Sequence, residues 1–345
     1  MSNGRSGTHS RKIRKIRNLD QLAELTGFSK ATVSRAMANS PLISEATIEK
    51  IQSAANAHGF RVNRNARRLR GITHTVAVAL DFPALEGKRL SDPFHFELLA
   101  DVAKALALRE REVLLCSPKM DEERGYQDLI AARGADGIIF LGQGSRERYL
   151  KELSRSDVPF VVWGAVKKDN PYCAVGTDNY RGGWLVGQRF AALRRKTVLF
   201  VGATGSVEFS LRRAGLEGGL RDNGSDARIL DAQALDLSYE SSLLAVRHWF
   251  GTEKARVDAV FAASDTTAMA VYVVLRERGL GIPDDVSVVG YDDIPFASYL
   301  IPALTTIRQS TSQGGALLVE KLMHRLDGHK PASASLPTEL IVRAS

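Results

Sequence analysis

Apolar residues between positions 18 and 59 recur with the spacing of three short amphipathic helices. Asn18 can cap the first helix, and Gly27 can end it, because a left-handed stop costs glycine little. The second predicted helix covers residues 30–37, and the third runs from about 45 to 58. A helix, a tight turn that contains glycine and a short helix with a polar face are typical of a helix-turn-helix unit, whose second helix enters the major groove of DNA.

From residue 75 onward, short β-rich apolar runs alternate with amphipathic stretches of helical period. The main strand candidates are residues 75–81, 112–116, 137–142, 159–164, 197–202, 257–264 and 286–292. Continuous apolar strands separated by helices indicate parallel sheets that are covered on both faces. About ten strands are too many for one small sheet, so we expect two doubly wound lobes with a ligand cleft at the carboxyl ends of their strands.

The positive charge of the chain is concentrated at its amino-terminal end. Residues 1–71 hold 14 Lys and Arg against 4 Asp and Glu, whereas the formal net charge of all 345 residues is +8. The remaining 274 residues therefore carry a net charge of only about −2. A basic head on a near-neutral body indicates nucleic-acid binding, with a merely solvated basic tail as the alternative. We expect residues 1–17 to form a disordered basic arm.

The sequence contains none of the common catalytic or metal-binding motifs. It has no G-x-S-x-G elbow, no P-loop and no H-E-x-x-H motif, and its seven histidines are scattered. Cys116 and Cys173 lie far apart in apolar runs, which favours buried reduced thiols. The adjacent Asp292 and Asp293 point to opposite faces of a strand end, which argues against a paired-carboxylate hydrolase. We therefore expect no enzyme activity, no catalytic residue, no cofactor and no metal.

The amino-terminal sequence lacks the apolar region of a secretory signal, and no stretch approaches the ~20 apolar residues of a membrane span. We therefore expect a cytoplasmic protein without a membrane partner. The alternative class is an extracytoplasmic solute-binding protein with the same two α/β lobes. The missing signal and the basic head argue against that alternative.

Four blocks of sequence resemble those of a known family, in the same order. They are ATVSRAM (31–37), SPLISEAT (40–47), HGFRVNRNARRL (58–69) and GYDDIPFASYLIPALTTIRQ (290–309). Together they resemble the lactose-repressor/galactose-repressor (LacI/GalR) family of transcriptional regulators, from residue 18 to the end of the chain. The resemblance implies an α/β fold in which a helix-turn-helix head and a hinge helix precede a two-lobed core like that of periplasmic binding proteins.

The resemblance also implies boundaries for these parts. They are a disordered basic arm at 1–17, a helix-turn-helix domain at 18–62, a hinge helix at 63–71 and a two-lobed effector-binding and dimerisation domain at 72–345. We expect the chain to cross between the lobes near residues 176, 305 and 330. The N-lobe then comprises about 72–176 and 306–330, and the C-lobe comprises about 177–305 and 331–345.

The second helix of the head carries side chains that we expect to contact DNA. The resemblance places Lys30, Ala31 and Arg35 at positions that read bases. Lysine and arginine can donate to guanine, and alanine can pack on a thymine methyl group. The side chains better placed for phosphates are those of Ser29, Thr32 and Ser34. Solvated charges on a helix surface are the alternative for Lys30 and Arg35.

The resemblance implies that Asn65 to Arg70 form a hinge helix on DNA, with Leu69 inserted into the minor groove. Arg67, Arg68 and Arg70 would flank this apolar wedge with phosphate and groove contacts, and Asn65 is a further expected DNA contact. A helix this short is marginal by itself, so its folding would depend on DNA and on the partner hinge. Operator affinity would then respond to small movements of the lobes.

The resemblance assigns effector contacts to side chains around the predicted cleft. They are Phe94, His95, Asp178, Glu208, Arg212, Ser264, Asp265, Asp292 and Gln309. Carboxylates, an arginine and aromatic rings suit a ligand with many hydroxyl groups. A sugar or sugar derivative is therefore the expected effector, and a purine-like co-repressor is the alternative.

Two departures from the family pattern leave the effector's identity open. Ser264 and Asp265 stand where the family often has Asn-Asp, and Leu237 stands where it often has an aromatic residue. We expect Trp163 to supply the stacking surface instead. Structural alternatives also stand: the carboxylates of Asp292 and Asp293 could cap a loop, His95 could be a surface residue, and Arg212 could form a salt bridge between the lobes.

These observations predict a sequence-specific DNA-binding regulator, most simply a repressor, controlled by a small effector. Each head reads one half-site, so we expect a homodimer on pseudo-palindromic double-stranded operator DNA. No leucine heptad follows the last strand candidate, which favours a dimer over a tetramer built by a coiled coil.

Overall fold

The computed structural model of this chain describes residues 16, 18–37, 40, 42–58, 60, 73–80, 93–116, 125–143, 146–203, 205–236, 238–253 and 255–345. The chain separates into two compact units, Met1–Thr73 and His74–Ser345. The described part of the first unit is helical, and the second unit contains two sheets.

The first unit contains the predicted three-helix head. Its helices are α1 (Leu19–Thr26), α2 (Lys30–Ala36) and α3 (Glu45–Ala57). All three contribute to one small apolar core, which contains Leu22, Val33, Ile51 and Ala55. Asn18 caps α1 by accepting the N–H of Gln21 at 2.9 Å, and Gly27 ends it with a φ of 74°. The predicted cap and stop therefore fix both ends of α1.

Ile16 corrects the expected start of the head. The sequence places this residue in a disordered arm at 1–17, but its side chain is buried against the core of the head. An apolar side chain among basic neighbours gains free energy by leaving water, and the head core offers the surface. The other residues of the arm and the predicted hinge helix at 63–71 lie outside the described residues.

The second unit contains two six-stranded sheets. Its strands are β1 (Thr75–Leu80), β2 (Glu112–Cys116), β3 (Gly137–Leu141), β4 (Phe160–Trp163), β5 (Ala174–Thr177), β6 (Thr197–Ala203), β7 (Arg228–Ala234), β8 (Ala259–Ala262), β9 (Ser287–Asp292), β10 (Thr305–Arg308), β11 (Ala334–Leu336) and β12 (Glu339–Ile341). The first sheet, in the N-lobe, has the order β11-β5-β4-β3-β1-β2, and the second, in the C-lobe, has the order β12-β10-β9-β8-β6-β7. Neighbouring strands are parallel, except that β10 and β12 are antiparallel.

Helices follow most strands of the two sheets. They are α4 (Pro93–Ala107), α5 (Gly125–Ala131), α6 (Glu147–Leu153), α7 (Asn179–Ala192), α8 (Val207–Asp222), α9 (Tyr239–Thr252), α10 (Asp265–Glu277) and α11 (Thr311–Leu326), with a 3-10 turn at Pro295–Tyr299. Strands β1, β3, β8 and β9 are buried along their whole length, which confirms sheets covered on both faces. In the described part of the chain, no helix combines the length and the apolar composition that a bilayer span requires.

The first crossing between the lobes follows β5, near the expected residue 176, but the other two lie at positions that differ from those expected. β10 pairs with β9, so residues 305–308 belong to the C-lobe, whereas the prediction started an N-lobe segment at 306. β11 pairs with β5, so residues 334–336 belong to the N-lobe rather than to the C-lobe. The last crossing therefore lies between β11 and β12. Strands of three or four residues carry too little apolar pattern to be located from the sequence.

Helices α7 and α8 of the C-lobe pack against each other through glycines. Gly183 and Gly187 of α7 face the backbone of α8, and Gly215 and Gly219 of α8 face the backbone of α7. A Cβ atom at any of these four positions would overlap a carbonyl oxygen of the opposite helix. The carbonyl that faces Gly183 belongs to Arg212, so this close packing sets the position of Arg212 in the lobe.

Candidate DNA-binding and effector sites

The outer face of α2 carries the side chains expected to read bases. Val33 and Ala36 are buried on the inner face of this helix, while Lys30, Ala31 and Arg35 are exposed. Two cations and a methyl group therefore stand together on one short helix. Such a surface offers donors for guanine and an apolar contact for thymine.

The predicted phosphate contacts lie at the start of the same helix. Ser29 caps α2, and its Oγ accepts the N–H of Thr32 at 3.1 Å. The hydroxyl groups of Ser29 and Thr32 are 2.9 Å apart, and Ser34 is half-buried. A capped first turn is rigid, so it fixes the directions of the side chains that follow.

The predicted hinge contacts are Asn65, Arg67, Leu69 and Arg70, and they lie outside the described residues. The minor-groove wedge therefore stays a prediction.

Arg212 of α8 is buried in the C-lobe with a fixed orientation. Its Nε donates to Asn179 Oδ1 at 2.8 Å, and its Nη1 donates to the carbonyl oxygen of Ala263. The guanidinium lies over the ring of Tyr291, with 3.5 Å between Cζ and the ring centroid. Among the described residues, no group accepts from the remaining Nη2. All three partners belong to the C-lobe, so Arg212 does not form the inter-lobe salt bridge considered as an alternative.

Tyr291 supports this arginine as a neutral ring. Burial raises the pKa of the phenol to about 12, and the charge of Arg212 opposes that rise only in part. A neutral aromatic face close to a guanidinium gives a favourable cation–π contact. Arg212 is therefore held by two hydrogen bonds and a stacking contact while one amino group stays available for a ligand.

Asp292 ends β9 with a backbone conformation that residues other than glycine rarely adopt. Its φ is 117°, and that of the following Asp293 is 58°. Gln309 donates from Nε2 to Asp292 Oδ1 at 2.6 Å, and the Thr177 hydroxyl donates to Gln309 Oε1 at 2.5 Å. The structure therefore joins two of the predicted effector contacts, Asp292 and Gln309, in one network with Thr177, which ends the last N-lobe strand before the first crossing.

Asp293 stabilises this strained turn. Its carboxylate accepts from Arg308 Nε at 2.7 Å and from Arg343 Nη2 at 2.6 Å. Strained backbone persists only where its surroundings hold it, and it is concentrated at functional sites. We infer that the two arginines fix the direction of the Asp292 carboxylate at the end of its strand.

The predicted aromatic contacts form a cluster in the N-lobe. The rings of Phe94 and Trp163 have centroids 5.8 Å apart, and those of Phe94 and His95 have centroids 5.6 Å apart in an edge-to-face arrangement. Phe94 and Trp163 are both buried, and Gly314 packs against the indole of Trp163. Trp163 therefore packs inside the N-lobe and exposes little ring surface for stacking.

Glu208 lies between the lobes. Its Oε1 accepts the N–H of Ala165, which follows β4 of the N-lobe, at 3.1 Å, and its Oε2 accepts from the Ser206 hydroxyl at 3.0 Å. Asp178 lies at the first crossing, where it caps α7 and accepts the N–H of Arg181 at 2.8 Å. Both carboxylates are thus at the boundary of the lobes.

Asp265 corrects the predicted effector site. Its carboxylate is completely buried and accepts from the Thr306 hydroxyl at 2.5 Å and from the N–H of Ile294 at 2.9 Å. The neighbouring Ser264 is also buried and caps α10 by accepting the N–H of Thr267 at 3.1 Å. Asp265 therefore ties together elements inside the C-lobe, because its position at a helix start directs it into the core.

Burial raises the pKa of Asp265 to about 8, and nearby Asp293 adds to this rise, while hydrogen bonds from Thr306 and Ile294 oppose it. The ordinary pKa of an aspartate is about 3.9, so the folded state binds this proton more tightly than the unfolded state. The resulting stabilisation is complete below about pH 4 and is lost as the pH rises to about 8.

We therefore expect the free energy of unfolding of wild type, relative to Asp265→Asn, to fall with rising pH. The slope should reach up to about 1.4 kcal/mol per pH unit between about pH 5 and about pH 8. Urea unfolding of both proteins across this range measures the difference. A difference that does not change with pH would contradict the raised pKa.

Three residues that make clear contacts were not predicted from the sequence. Asn179 and Tyr291 hold Arg212, and Asp20 of α1 pairs with Lys30 at 2.9 Å. Asn179 follows Asp178, and Tyr291 precedes Asp292, so their adjacency to predicted contacts was an available signal. No sequence signal joined Asp20 to Lys30, because the contact depends on how two helices pack.

Two family profiles match separate parts of this chain. The profile described as bacterial regulatory proteins, lacI family, matches residues 18–63. The profile described as periplasmic binding protein-like domain matches residues 188–345. The first range covers the three-helix head, and the second covers most of the C-lobe and the last crossings.

Similar proteins span nearly the whole chain. The HTH-type transcriptional regulator CelR of Thermobifida fusca is 31% identical over 337 residues, which cover 95% of this chain and 97% of that protein. The ribose operon repressor of Escherichia coli (strain K12) is 27% identical over 317 residues, which cover 89% of this chain and 92% of that protein.

Two solved structures of regulators are similar to this structure. A lac repressor dimer bound to operator and the anti-inducer ONPF is 25% identical, with a TM-score of 0.78 over 96% of this chain and 99% of that one. A complex of the regulator CelR with cellobiose is 29% identical, with a TM-score of 0.68 over 96% of this chain and 100% of that one. A head with an exposed polar helix, two parallel-sheet lobes and a full-length relative at 31% identity agree: this chain belongs to the lacI family of bacterial regulatory proteins.

Proposed function

We propose that this chain is a transcriptional repressor whose affinity for operator DNA is set by a sugar in the cleft between its lobes. The proposal rests on one observation: the chain combines exposed cations on a helix of the head with polar side chains held in fixed directions in the C-lobe. Lys30 and Arg35 are exposed on one helix of the head, and Arg212 and Asp292 are held in fixed directions in the C-lobe. Such a regulator acts in the cytoplasm, where its operator is.

The chemistry of the C-lobe residues favours a ligand with hydroxyl groups. A hydroxyl can donate to the Asp292 carboxylate and accept from Nη2 of Arg212, so one sugar can use both groups. Two similar regulators have been solved with sugars: CelR with cellobiose, and a LacI family regulator from Enterococcus faecium with ribose. We infer that the effector of this chain is also a sugar, bound against Arg212, Asp292 and Gln309.

We also propose that the chain works as a homodimer. Support comes from apolar side chains in and just after the 3-10 turn of the C-lobe: Phe296 and Tyr299 are exposed, and Ile301, two residues after the turn, is 93% exposed. Large apolar side chains that stand together in water are typical of protein contacts. A second copy of the chain would cover them and would place two heads on the half-sites of a pseudo-palindromic operator.

Selection of bound duplexes from a random-sequence library, followed by titration with the full chain, tests this function. We expect an enriched pseudo-palindrome that binds two chains and is released by one sugar from a panel that includes cellobiose, sucrose and ribose. Binding should also weaken steeply with salt, because phosphate contacts release counterions. Failure to enrich any sequence would contradict DNA reading, and an enriched site that no sugar affects would contradict the effector.

The double substitution Lys30→Ala with Arg35→Ala should weaken binding to the selected site by at least about tenfold, because each good base contact contributes about 1–3 kcal/mol. Both side chains are exposed, so the double substitution should change the melting temperature of the chain only slightly. Lys151→Ala, an exposed lysine of the N-lobe, is the control. If wild type, the double variant and Lys151→Ala bind the selected site with equal affinity, α2 does not read the DNA sequence.

A further inference from the structure

The base-reading helix of the head does not present Lys30 alone. The Lys30 Nζ lies 2.9 Å from each carboxylate oxygen of Asp20, which belongs to the first turn of α1. The two side chains are 62% and 63% exposed, so the pair stands on the surface of the head. A carboxylate is thereby held next to the first cation of the recognition helix.

This carboxylate would be unfavourable on a surface that only attracts phosphates. Such an exposed ion pair contributes little to stability, and a negative charge facing DNA is repelled by the backbone. The repulsion is offset where the carboxylate accepts a hydrogen bond from DNA. In the major groove, the N4 amino group of cytosine is the donor that an aspartate accepts from.

The partner of that cytosine complements the lysine. Guanine displays O6 and N7 as acceptors in the same groove, and a lysine ammonium donates to both. One G·C base pair thus offers two acceptors beside a donor, and the Asp20–Lys30 pair offers donors beside an acceptor. The ion pair also orients the long lysine side chain before DNA binds, which reduces the rotamer freedom lost on binding.

We propose that Asp20 and Lys30 together read one G·C base pair in each half-site, with Lys30 donating to guanine and Asp20 accepting from the N4 amino group of cytosine. Asp20 is then a specificity-determining residue on α1, outside the recognition helix. The inference rests on the proposed function, because it requires the exposed face of α2 to lie in the major groove. The competing explanation is that Asp20 only stabilises the amino-terminal end of α1 through the helix dipole.

Base preference separates these two explanations. Full-length wild type, Asp20→Ala, Asp20→Asn and Lys30→Ala are each used to select duplexes from the same random-sequence library. We expect Asp20→Ala to keep the wild-type motif except at one base pair per half-site, where the preference for cytosine over other bases falls by about fivefold or more. Lys30→Ala should lose its preference at the same base pair. Asp20→Asn should shift the preference toward adenine, whose N6 and N7 asparagine can bind.

Glu24→Ala is the matched control. Glu24 lies on α1 one turn after Asp20 and is exposed, and the described residues include no ion pair with it. This substitution should leave the motif unchanged at every position. Thermal melting of each variant checks that the head is folded, which the exposed position of Asp20 favours.

Two results would overturn the proposal. The Asp20→Ala motif could equal that of wild type at every base pair, which leaves only the helix-dipole role. Alternatively, Asp20→Ala and Lys30→Ala could change different base pairs, which excludes a shared one. If wild type itself enriches no motif, the proposed function fails as well, and this outcome differs from a wild-type motif that Asp20→Ala does not change.

Discussion

Replacing Gly183 with alanine should destabilise the two-lobed unit by about 3 kcal/mol and weaken effector binding at the same time. The new Cβ would overlap the carbonyl oxygen of Arg212 on the facing helix, and a helix backbone cannot yield as a flexible side chain does. Relief requires α7 and α8 to separate, which moves Arg212 away from Asn179 and Tyr291. The melting temperature of the full chain should fall by about 6–12 °C.

Gly251→Ala supplies the matched control for this substitution. Gly251 lies in the last turn of α9, and a Cβ atom there would meet nothing within 4 Å. Alanine has the higher helix propensity, so this variant should be more stable than wild type by about 0.5–1 kcal/mol. If Gly183→Ala melts at the same temperature as Gly251→Ala, the close packing of α7 on α8 is refuted.

Features set by neighbours in the sequence were predictable. Asn18 and Gly27 delimit α1 because cap and stop residues act on the adjacent backbone. Central strands such as β3 and β9 were visible as continuous apolar runs because both of their faces are covered. Local periodicity and punctuation therefore determine the head and the α/β class of this chain.

Features that depend on distant partners were not predictable in the same way. Asp265 looks like a cleft residue after a strand, yet its hydrogen-bond partners Ile294 and Thr306 are 29 and 41 residues away. Ile16 is apolar in a basic stretch, and only the assembled head core reveals where it packs. The short strands β10 and β11 acquire their lobe from their pairing partners, so the second and third crossings were misplaced by several residues.

The same distinction applies to the proposed effector site. Arg212 and Asp292 were identified by resemblance, but the reasons for their directions lie in the tertiary structure. Arg212 is oriented by Asn179, by the Ala263 carbonyl and by the ring of Tyr291. A buried side chain with this many contacts reorganises little when a ligand binds. Little of the free energy of its contact with the ligand is therefore lost in ordering the side chain.

Arg212→Met should therefore reduce the affinity for the sugar effector by about 10- to 100-fold, because hydrogen bonds to charged groups contribute about 1.5–3 kcal/mol. Methionine fills a similar volume but leaves Asn179 Oδ1 and the Ala263 carbonyl without their donor. Operator affinity without effector should stay close to that of wild type, since the reading helix belongs to the other unit. The variant should thus bind operator and fail to release it at sugar concentrations that release wild type.

Arg213→Met tests whether this effect is specific to the buried arginine. Arg213 is the next residue of α8, but its guanidinium binds Asp231 through Nε at 2.8 Å and Nη2 at 3.0 Å, on the outside of the lobe. Its loss removes a partly exposed ion pair and should leave the sugar affinity unchanged. Isothermal titration with the sugar that raises the melting temperature of wild type measures both variants. If Arg212→Met binds that sugar as tightly as Arg213→Met does, the effector does not contact the guanidinium of Arg212, and its binding site lies elsewhere in the two-lobed unit.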